Sequence, residues 1–366
     1  MQKYRVGIIG CGRVASLLEK DRLRQHPCTH AGAYVKSGQC EIVTGCDINR
    51  ERLNEFGYTF GVSKEHLYED YRELLDKEEL DIVSICTWTH LHKEMTIKAS
   101  KKGLKAILCE KPIATNLSDA REMIKECEKN KVILAVNHHR RYDGYYQGVK
   151  KFIEDGGIGE VRTVAAWMLT GRPKPGWHSK LEIAGGGPLM HDGTHMFDIL
   201  RYFFGEFKWI QAFISREKDD IQIEDRAVCY FEFENGIKGF MENGGVRNYF
   251  HFEVDILGQD GRIHIGNGIY RYYKSDTSRM YEGFRDLVLQ DKFIEPLHYE
   301  NTDVKQVLEI INAIENKGKV ISTGYDATKA LELIFACYYS SLIGNKIVYL
   351  PLKNLKFNPL KKLFET

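Results

Sequence analysis

A glycine-rich stretch near the amino terminus has the residue types and spacing of a phosphate-binding turn. Residues 10–15 read Gly-Cys-Gly-Arg-Val-Ala, the pattern G-x-G-x-x-A. In such a turn the first glycine permits a sharp change of direction, the second lets backbone approach a pyrophosphate, and the small last residue lets a helix pack closely on a strand. A strand-like run precedes the pattern and a helix is expected to begin near Arg13. We therefore expect Gly10, Gly12, Arg13 and Val14 to contact a dinucleotide.

Asp47 has the position of a nucleoside-binding carboxylate. It directly follows a second strand-like run, 41–46. An acidic side chain at the end of this strand hydrogen-bonds the adenosine ribose hydroxyls, and its charge repels a 2′-phosphate. The sequence therefore favours NAD over NADP.

The interval between the glycine turn and Asp47 exceeds the usual ~20 residues, so we expect an insertion within it. Residues 25–37 are the natural place for this insertion. Its His26, Cys28 and His30 have metal-ligating side chains. Because they have neither a fourth ligand nor a recognised zinc spacing, an ordinary loop is the better interpretation and no metal is expected.

Lys111 follows Glu110 at the end of another short apolar run, 106–109. When a carbon loses or receives a hydride, charge develops on its attached oxygen, and a positioned ammonium stabilises that charge. The carboxyl ends of parallel strands are also where ligands bind in such sheets. We therefore interpret Lys111 as a catalytic residue rather than as an ordinary surface lysine.

A predicted helix over 188–204 carries two histidines. At ~100° per residue, His191, His195 and Asp198 form one polar stripe along it. Imidazole is suited to proton transfer near neutral pH. Asp198 could orient a histidine or form an ion pair with Arg201, and both interpretations remain open. The two histidines could also share a metal, but no third ligand is evident.

Several motifs taken together resemble one known family, the Gfo/Idh/MocA group of glucose–fructose oxidoreductases and inositol dehydrogenases. Beyond the glycine turn and Asp47, they are TWTHLH at 87–92, EKP at 110–112, GGGPLMHDGTHMFD at 185–198 and the carboxyl-terminal stretch 324–352. The resemblance covers nearly the whole chain. It implies an NAD(P)-dependent dehydrogenase or reductase that acts on CH–OH groups of a small sugar or polyol.

The resemblance also assigns roles to residues. It implies that Lys111 points at the substrate oxygen near the nicotinamide and that His195 works with it as acid and base. Thr87, His92 and Glu110 are expected to join the cofactor site, as is Lys111 itself. Trp88 stands where the family often has proline, and it is expected either to pack near the cofactor or to be an ordinary core or surface tryptophan.

One position departs from the family pattern. His191 stands where the family usually has aspartate, and Asp192 is turned ~100° from it on the predicted helix, so it is no simple replacement. We expect His191 to take part in catalysis or to bind substrate. Asn137 and the loop 171–178, through Arg172 and Trp177, are further candidates for substrate contact, although the sequence slightly favours an ordinary solvent-exposed loop at 171–178.

The elements that position these residues predict an α/β fold with two domains. Strand-like runs alternate with helical stretches through residues 1–137, which predicts a doubly wound parallel sheet, a dinucleotide-binding Rossmann domain. Hairpin patterns then dominate 138–366, which predicts an α+β domain for substrate binding and oligomerisation on a mostly antiparallel sheet. The carboxyl-terminal segment could pack back on the first domain. Residues 274–300 have no clear period and are expected to form a long loop with at most one helix.

Composition excludes other classes of protein. Lys plus Arg is 52 and Asp plus Glu is 51, a balance that argues against a nucleic-acid partner. No apolar run approaches a membrane span, and no secretion signal is recognised. The nine cysteines lack C-x-x-C spacing, so we expect reduced thiols in a cytoplasmic protein. Family analogy predicts a homodimer or homotetramer.

The sequence therefore predicts an NAD-dependent oxidoreductase that interconverts a secondary alcohol and a ketone on a sugar, cyclitol or nucleotide sugar. Lys111 and His195 would handle the proton. Two alternatives remain: an NAD-binding regulator without turnover, and a hydrolase or lyase that uses tightly bound NAD transiently.

Overall fold

The chain forms two compact units. The computed structural model describes residues 3–173, 176–217, 220–353, 355 and 357–364. The first unit comprises Met1–Asp143 and Glu300–Thr328, and the second comprises Gly144–Tyr299 and Lys329–Thr366. The boundary expected after residue 137 thus lies six residues early. Residues 300–328, predicted to lie in the second domain, belong to the first unit.

The regular elements are numbered in chain order. The strands are β1 Tyr4–Ile9, β2 Cys40–Cys46, β3 Leu67–Tyr68, β4 Ile82–Ile85, β5 Ala106–Cys109, β6 Ile133–Val136, β7 Val161–Leu169, β8 Phe207–Ser215, β9 Arg226–Phe233, β10 Lys238–Gly244, β11 His251–Gly258, β12 Gly261–Gly266, β13 Ile269–Thr277, β14 Arg285–Leu289 and β15 Val348–Tyr349. The α-helices are α1 His30–Ser37, α2 Arg50–Phe60, α3 Tyr71–Lys77, α4 His92–Ser100, α5 Leu117–Lys129, α6 Gly144–Glu154, α7 Leu181–Ala184, α8 Pro188–His191, α9 Gly193–Phe204, α10 Thr302–Asn316, α11 Gly324–Leu342 and α12 Pro359–Leu363.

The first unit is built on a parallel sheet, as predicted. Its strand order is β3-β2-β1-β4-β5-β6, and each neighbouring pair is parallel. This is the order of dinucleotide-binding folds, and the order reverses direction between β1 and β4. Ligands bind in such sheets outside the carboxyl ends of the strands at that reversal. The glycine turn follows β1 at this edge.

Helix α10 explains why residues 300–328 return to the first unit. Val304, Val307, Ile310 and Ile311 recur at helical spacing and are buried in one cluster with residues of β1 and α1. A single bridge between Ala135 and Thr323 extends the contact to β6. Burial of this apolar stripe is worth roughly 1.5–3 kcal/mol for each large side chain, which holds the segment on the sheet.

The expected helix near Arg13 and the expected insertion at 25–37 are both wrong. After one helical turn, in which the amides of Ser16 and Leu17 donate to Gly12 O, the chain forms only a 3₁₀ turn at Leu17–Lys20. The first α-helix is α1, inside the range read as an insertion. Side chains compete with the helix: Asp21 accepts from Leu23 N–H, and Glu19 accepts from Cys28 N–H. Such local bonds offer the backbone an alternative to a helix.

The second unit is built on a nine-stranded sheet with the order β14-β13-β12-β11-β7-β10-β9-β8-β15. Only β7 and β10 are parallel neighbours within the described strands, so the prediction of a mostly antiparallel sheet is confirmed. The loop expected at 274–300 is partly wrong, since β13 continues into it and pairs with β14. None of the described helices combines the length and apolar character needed to cross a bilayer.

The predicted helix over 188–204 is interrupted. Helix α8 ends at His191, and α9 begins at Gly193. The His195 amide donates to Asp192 O, three residues back. Glycine is a poor helix former, and at Gly193 an added Cβ would lie 2.9 Å from Leu189 Cδ1. The single polar stripe is therefore divided, with His191 in α8 and His195 and Asp198 in α9.

Candidate active site

The glycine turn has the shape of a pyrophosphate cradle. Gly10 has φ +89°, and an added Cβ would lie 2.7 Å from Cys86 O, so only glycine fits there. At Gly12 an added Cβ would come no nearer than 3.6 Å to protein, at Arg52 Nη1. The space over Gly12 is thus open for a ligand. Ala15 is fully buried, as close packing of the turn requires.

Asp47 lies beside this turn. One carboxylate oxygen accepts the Cys11 N–H at 3.0 Å, and the other accepts the Asn49 N–H at 2.8 Å. Each oxygen retains a further acceptor position, which two ribose hydroxyls could use. The glycine turn and Asp47 therefore fit NAD, and the negative charge opposes the 2′-phosphate of NADP.

Glu110 is the centre of a buried hydrogen-bond network. Its Oε1 accepts from Asn137 Nδ2 at 2.7 Å and lies 2.9 Å from His30 Nε2. The other ring nitrogen of His30 lies 3.0 Å from Ser84 Oγ, which is 2.9 Å from Tyr34 Oη. Because an ionised carboxylate can only accept, the His30 Nε2–H donates to Glu110.

This network keeps Glu110 ionised. Burial alone would raise the pKa of the carboxyl group, but the hydrogen bond and charge of His30, the charge of Lys111 and the amide of Asn137 lower it to about 2. Glu110 Oε2 also accepts the backbone N–H of Lys111 at 3.2 Å. The network thus fixes the backbone from which the Lys111 side chain projects.

Lys111 is half-buried and follows β5 at the carboxyl edge of the parallel sheet. Asn137 follows the neighbouring strand β6, and its backbone N–H donates to Cys109 O. Its Oδ1 is buried with no hydrogen-bond partner among the described residues. One edge of the sheet therefore holds Lys111, Glu110 and Asn137, which the sequence predicted as site residues.

Residues 87–92 differ in their exposure and in their contacts. Trp88 is 41 % exposed and stacks on His90 with ring centroids 6.1 Å apart. His92 is fully buried, with Nδ1 2.9 Å from Pro112 O and Nε2 3.1 Å from Thr87 O. Its ring therefore connects the segment after β4 to the one that carries Lys111. Burial lowers the pKa of His92, and the ring positions the backbone of both segments.

In the second unit, the structure brings together two predicted substrate residues. The rings of Trp177 and His191 meet edge to face with centroids 5.8 Å apart. Arg172 forms an ion pair with Asp220. Two further residues of the predicted loop, Lys174 and Pro175, lie outside the described part of the chain.

His195 and Asp198 are buried in α9. Arg201, the alternative partner of Asp198, donates from Nε to Glu206 at 3.2 Å. Glu206 is therefore one ion-pair partner of Arg201, and both interpretations of Asp198 remain predictions.

Glu224 supports the start of α8 and was missed in the sequence. Its carboxylate accepts from Gly187 N–H at 2.9 Å, Leu189 N–H at 3.1 Å and Tyr338 Oη at 3.0 Å. A Cβ on Gly187 would lie 2.0 Å from Glu224 O, so only glycine at this position allows the Glu224 backbone to approach so closely. Burial raises the pKa of Glu224 to about 7.

The sequence contained partial signals for the missed residues. His30 was noted only as one of three metal-ligating side chains, and nothing linked it to Glu110 across 80 positions. Ser84 stands out as a polar residue inside an otherwise apolar strand. Such a residue needs a buried hydrogen-bond partner, and this could have prompted a search for one.

Comparisons with known proteins agree with this geometry. Residues 4–138 match the family model described as "Oxidoreductase family, NAD-binding Rossmann fold", and residues 146–264 match "GFO/IDH/MocA C-terminal domain". The chain is 28 % identical over 339 residues to a myo-inositol 2-dehydrogenase of Thermotoga maritima, covering 90 % of this chain and 96 % of that protein. It is 27 % identical to a D-apiose dehydrogenase of Paraburkholderia graminis, covering 95 % and 90 %.

Solved structures share the fold. The WlbA dehydrogenase of Bordetella pertussis, in complex with NADH and UDP-GlcNAcA, superimposes with a TM-score of 0.78 at 24 % identity, covering 96 % of this chain and 99 % of that one. With both family models matched in order along most of the chain, this protein belongs to the Gfo/Idh/MocA family of oxidoreductases and is an enzyme with an NAD-binding Rossmann fold.

Proposed function

We propose that this enzyme interconverts a secondary alcohol and a ketone on a sugar, cyclitol or nucleotide sugar. The relatives named above act on myo-inositol and D-apiose, and the structural neighbour holds a nucleotide sugar. The observation that carries the proposal is Lys111, placed directly after a buried carboxylate that His30 and Asn137 hold. A cation in that position suits an oxygen on which charge develops.

The glycine turn binds the cofactor in this proposal. Gly10, Gly12, Arg13 and Val14 contact the pyrophosphate, and Asp47 binds the ribose. Thr87 and Trp88 complete the site, with His92 and Glu110 holding the backbone around it. Bound NAD supplies the hydride acceptor in oxidation, and NADH supplies the donor in reduction.

Lys111 and His195 share the work on the substrate proton. The ammonium of Lys111 hydrogen-bonds the reacting hydroxyl and stabilises the negative charge on its oxygen as the proton leaves. His195 receives that proton during oxidation and returns it during reduction. Glu110 remains an anion throughout and fixes the backbone of Lys111.

The remaining predicted residues bind the substrate. His191 takes the place of the family's aspartate and contacts a hydroxyl group of the substrate. Trp177 packs against His191 and covers an apolar face of the substrate's ring. Asn137 Oδ1, which is buried without a partner among the described residues, accepts a hydrogen bond from a substrate hydroxyl group. Arg172 contributes the donors that Asp220 does not use.

The test measures absorbance of reduced nicotinamide with NAD and NADP in parallel, across sugars, cyclitols and nucleotide sugars. Each substrate found is repeated with Lys111→Ala and His195→Ala, which should lower kcat by roughly 10²–10⁴-fold. Lys77→Ala is the matched control, because Lys77 is exposed, pairs with the exposed Glu73 and lies over the Tyr68 ring. It should leave kcat unchanged.

The other outcomes distinguish the alternatives. NAD bound without any substrate-dependent redox change would favour a regulator, and turnover without net NAD consumption would favour a hydrolase or lyase. Activity that survives Lys111→Ala would contradict the proposed role of the lysine.

We also propose a cytoplasmic homo-oligomer, a dimer or tetramer. Eight of the nine cysteines are buried and all nine are free, which suits a reducing compartment. Phe213 and Tyr230 lie on one face of the large sheet and are about half exposed, and Phe240 packs beside Tyr230. Such an apolar face suits an interface. Light scattering should give a dimer or tetramer, and Tyr230→Lys should shift it toward monomer; a wild-type monomer would contradict this.

A further inference from the structure

A second cluster of reactive side chains lies in the segment between the glycine turn and α1. Glu19 comes from the 3₁₀ turn, and His26 and Cys28 follow on the loop that leads into α1. One ligand atom from each, Oε2, Nδ1 and Sγ, could face a common point, since the three residues' ligand atoms lie within 4.8 Å of one another. The expectation that this segment holds no metal site was based on spacing alone, and it paired His26 and Cys28 with His30 rather than Glu19.

The distances suit a single small cation. His26 Nδ1 lies 2.8 Å from Glu19 Oε2 and 3.8 Å from Cys28 Sγ. Around a tetrahedral zinc ion, with bonds of about 2.0–2.3 Å, neighbouring ligand atoms lie roughly 3.3–3.6 Å apart. The observed distances bracket this value, so small side-chain rotations suffice to bind an ion.

The outer contacts are those of a metal site. His26 Nε2 lies 3.0 Å from Asp21 O, and a carbonyl oxygen can only accept, so Nε2 carries a proton. Metal-ligating histidines almost always donate their other N–H in this way. Glu19 Oε1 accepts from Cys28 N–H at 2.8 Å and from Thr29 Oγ1 at 2.7 Å. This leaves Oε2 to bind the ion.

The hydrogen bonds leave one position that requires positive charge. With Nε2 protonated, a neutral His26 would direct the lone pair of Nδ1 at the Glu19 carboxylate. Either a proton or a metal ion must therefore lie between Nδ1 and Oε2.

The three side chains can be reached from solvent. Cys28 is the one cysteine of the chain that is not classed as buried, and His26 is exposed, so an ion can enter the cluster.

We propose that Glu19 Oε2, His26 Nδ1 and Cys28 Sγ bind one Zn²⁺, with water as the fourth ligand. Zinc prefers this combination of thiolate, imidazole and carboxylate. Binding releases the thiol proton of Cys28 and the proton on His26 Nδ1 to solvent, and no electron is transferred. The ion stiffens the loop before α1, whose first residue, His30, holds Glu110.

The test uses the full chain, reduced and freed of metal with a chelator. Zn²⁺ is titrated against a competing chelator, and Co²⁺ serves as a spectroscopic probe. We expect one Zn²⁺ per chain, a sulfur-to-cobalt charge-transfer band, and a thermal midpoint that rises with zinc. Cys28→Ser should abolish the band and weaken zinc binding by more than the ~10–100-fold that loss of an outer contact costs. Glu19→Gln should weaken binding without abolishing the band.

His66→Gln is the matched control. His66 forms the same kind of imidazole–carboxylate pair with Glu78, at 2.6 Å, but no cysteine lies in that cluster among the described residues. The His66→Gln variant should bind zinc with the affinity of the wild type. The proposal is overturned if no zinc binds at micromolar free ion, if the cobalt band survives in Cys28→Ser, or if His66→Gln loses as much affinity as Cys28→Ser. Circular dichroism checks that each variant is folded.

Discussion

The buried pair between His30 and Glu110 makes a measurable prediction about both stability and catalysis. His30→Leu removes a donor at 2.9 Å from a carboxylate that is about 6 % exposed. Removal of one partner from a buried pair costs about 3–5 kcal/mol, because the other charge is left uncompensated. Asn137 and the Lys111 amide still donate to Glu110. We therefore expect the free energy of unfolding to fall by about 2–4 kcal/mol.

The pair of His66 and Glu78 is the control for this effect. Its nitrogen–oxygen distance is 2.6 Å, and the side chains of His66 and Glu78 are 46 % and 5 % exposed. Because water reaches this imidazole and Tyr68 Oη also donates to Glu78, His66→Gln should cost less stability than His30→Leu. Urea unfolding compares the two variants, and amide exchange in β4 and β5 assigns any loss to the first unit.

The same variant changes the pH dependence of stability. Glu110 has a lowered pKa, about 2 against an ordinary 4.5. It therefore stabilises the fold above pH 4.5, and this contribution is lost as the pH falls toward 2. The difference between wild type and His30→Leu should shrink over that range.

The His30→Leu variant should also lose catalytic activity. Since Glu110 holds the Lys111 backbone, His30→Leu should lower kcat by roughly ten- to hundredfold through misplacement of the lysine, with a smaller change in KM for NAD. A loss of stability no greater than that of His66→Gln would refute the reasoning, as would an unchanged kcat in a folded His30→Leu variant.

Three further predictions follow from single side chains. Asp47→Asn should lower the preference for NAD over NADP by about tenfold, since one charge that opposes the 2′-phosphate is lost; an unchanged ratio of kcat/KM values would contradict this. Gly10→Ala, with φ +89° and a contact at 2.7 Å to Cys86 O, should cost about 1–3 kcal/mol of stability, whereas Gly12→Ala should keep the thermal midpoint but raise KM for NAD. Glu224 binds its proton more tightly when folded, with a pKa of about 7 against 4.5, so wild-type stability should fall as the pH rises from 4.5 to 7, and Glu224→Gln should not show this fall.

The sequence predicted the strands well, because their side chains are buried. In the parallel sheet, β1, β4, β5 and β6 agree within one residue with the strands that the sequence predicts at 4–9, 82–86, 106–109 and 132–136. The edge strand β14 was missed, since four of its five residues are exposed and no burial pattern marks it. Hydrophobic periodicity identifies strands with a buried face, and it does not identify an exposed strand at the edge of a sheet.

The site was predicted in part for the same kind of reason. Glu110 and Lys111 follow a recognisable strand, but the partner that holds Glu110 lies 80 positions earlier in a segment taken for an insertion. The stretch after Gly12 has a helical composition, yet Glu19 and Asp21 bond to the backbone of the next loop instead. Long-range polar bonds of this kind have no periodicity, so the sequence gives no direct sign of them.

The return of α10 to the first unit has a consequence for the order in which the nascent chain can fold. When residue 143 leaves the ribosome, the parallel sheet is complete in strands but still lacks the helix that covers part of its apolar face. At roughly 5–20 residues per second, the missing helix follows on the order of ten seconds or more later. During that interval the uncovered face offers a binding surface for chaperones, so a fragment ending at residue 143 should be recovered with them or in aggregates.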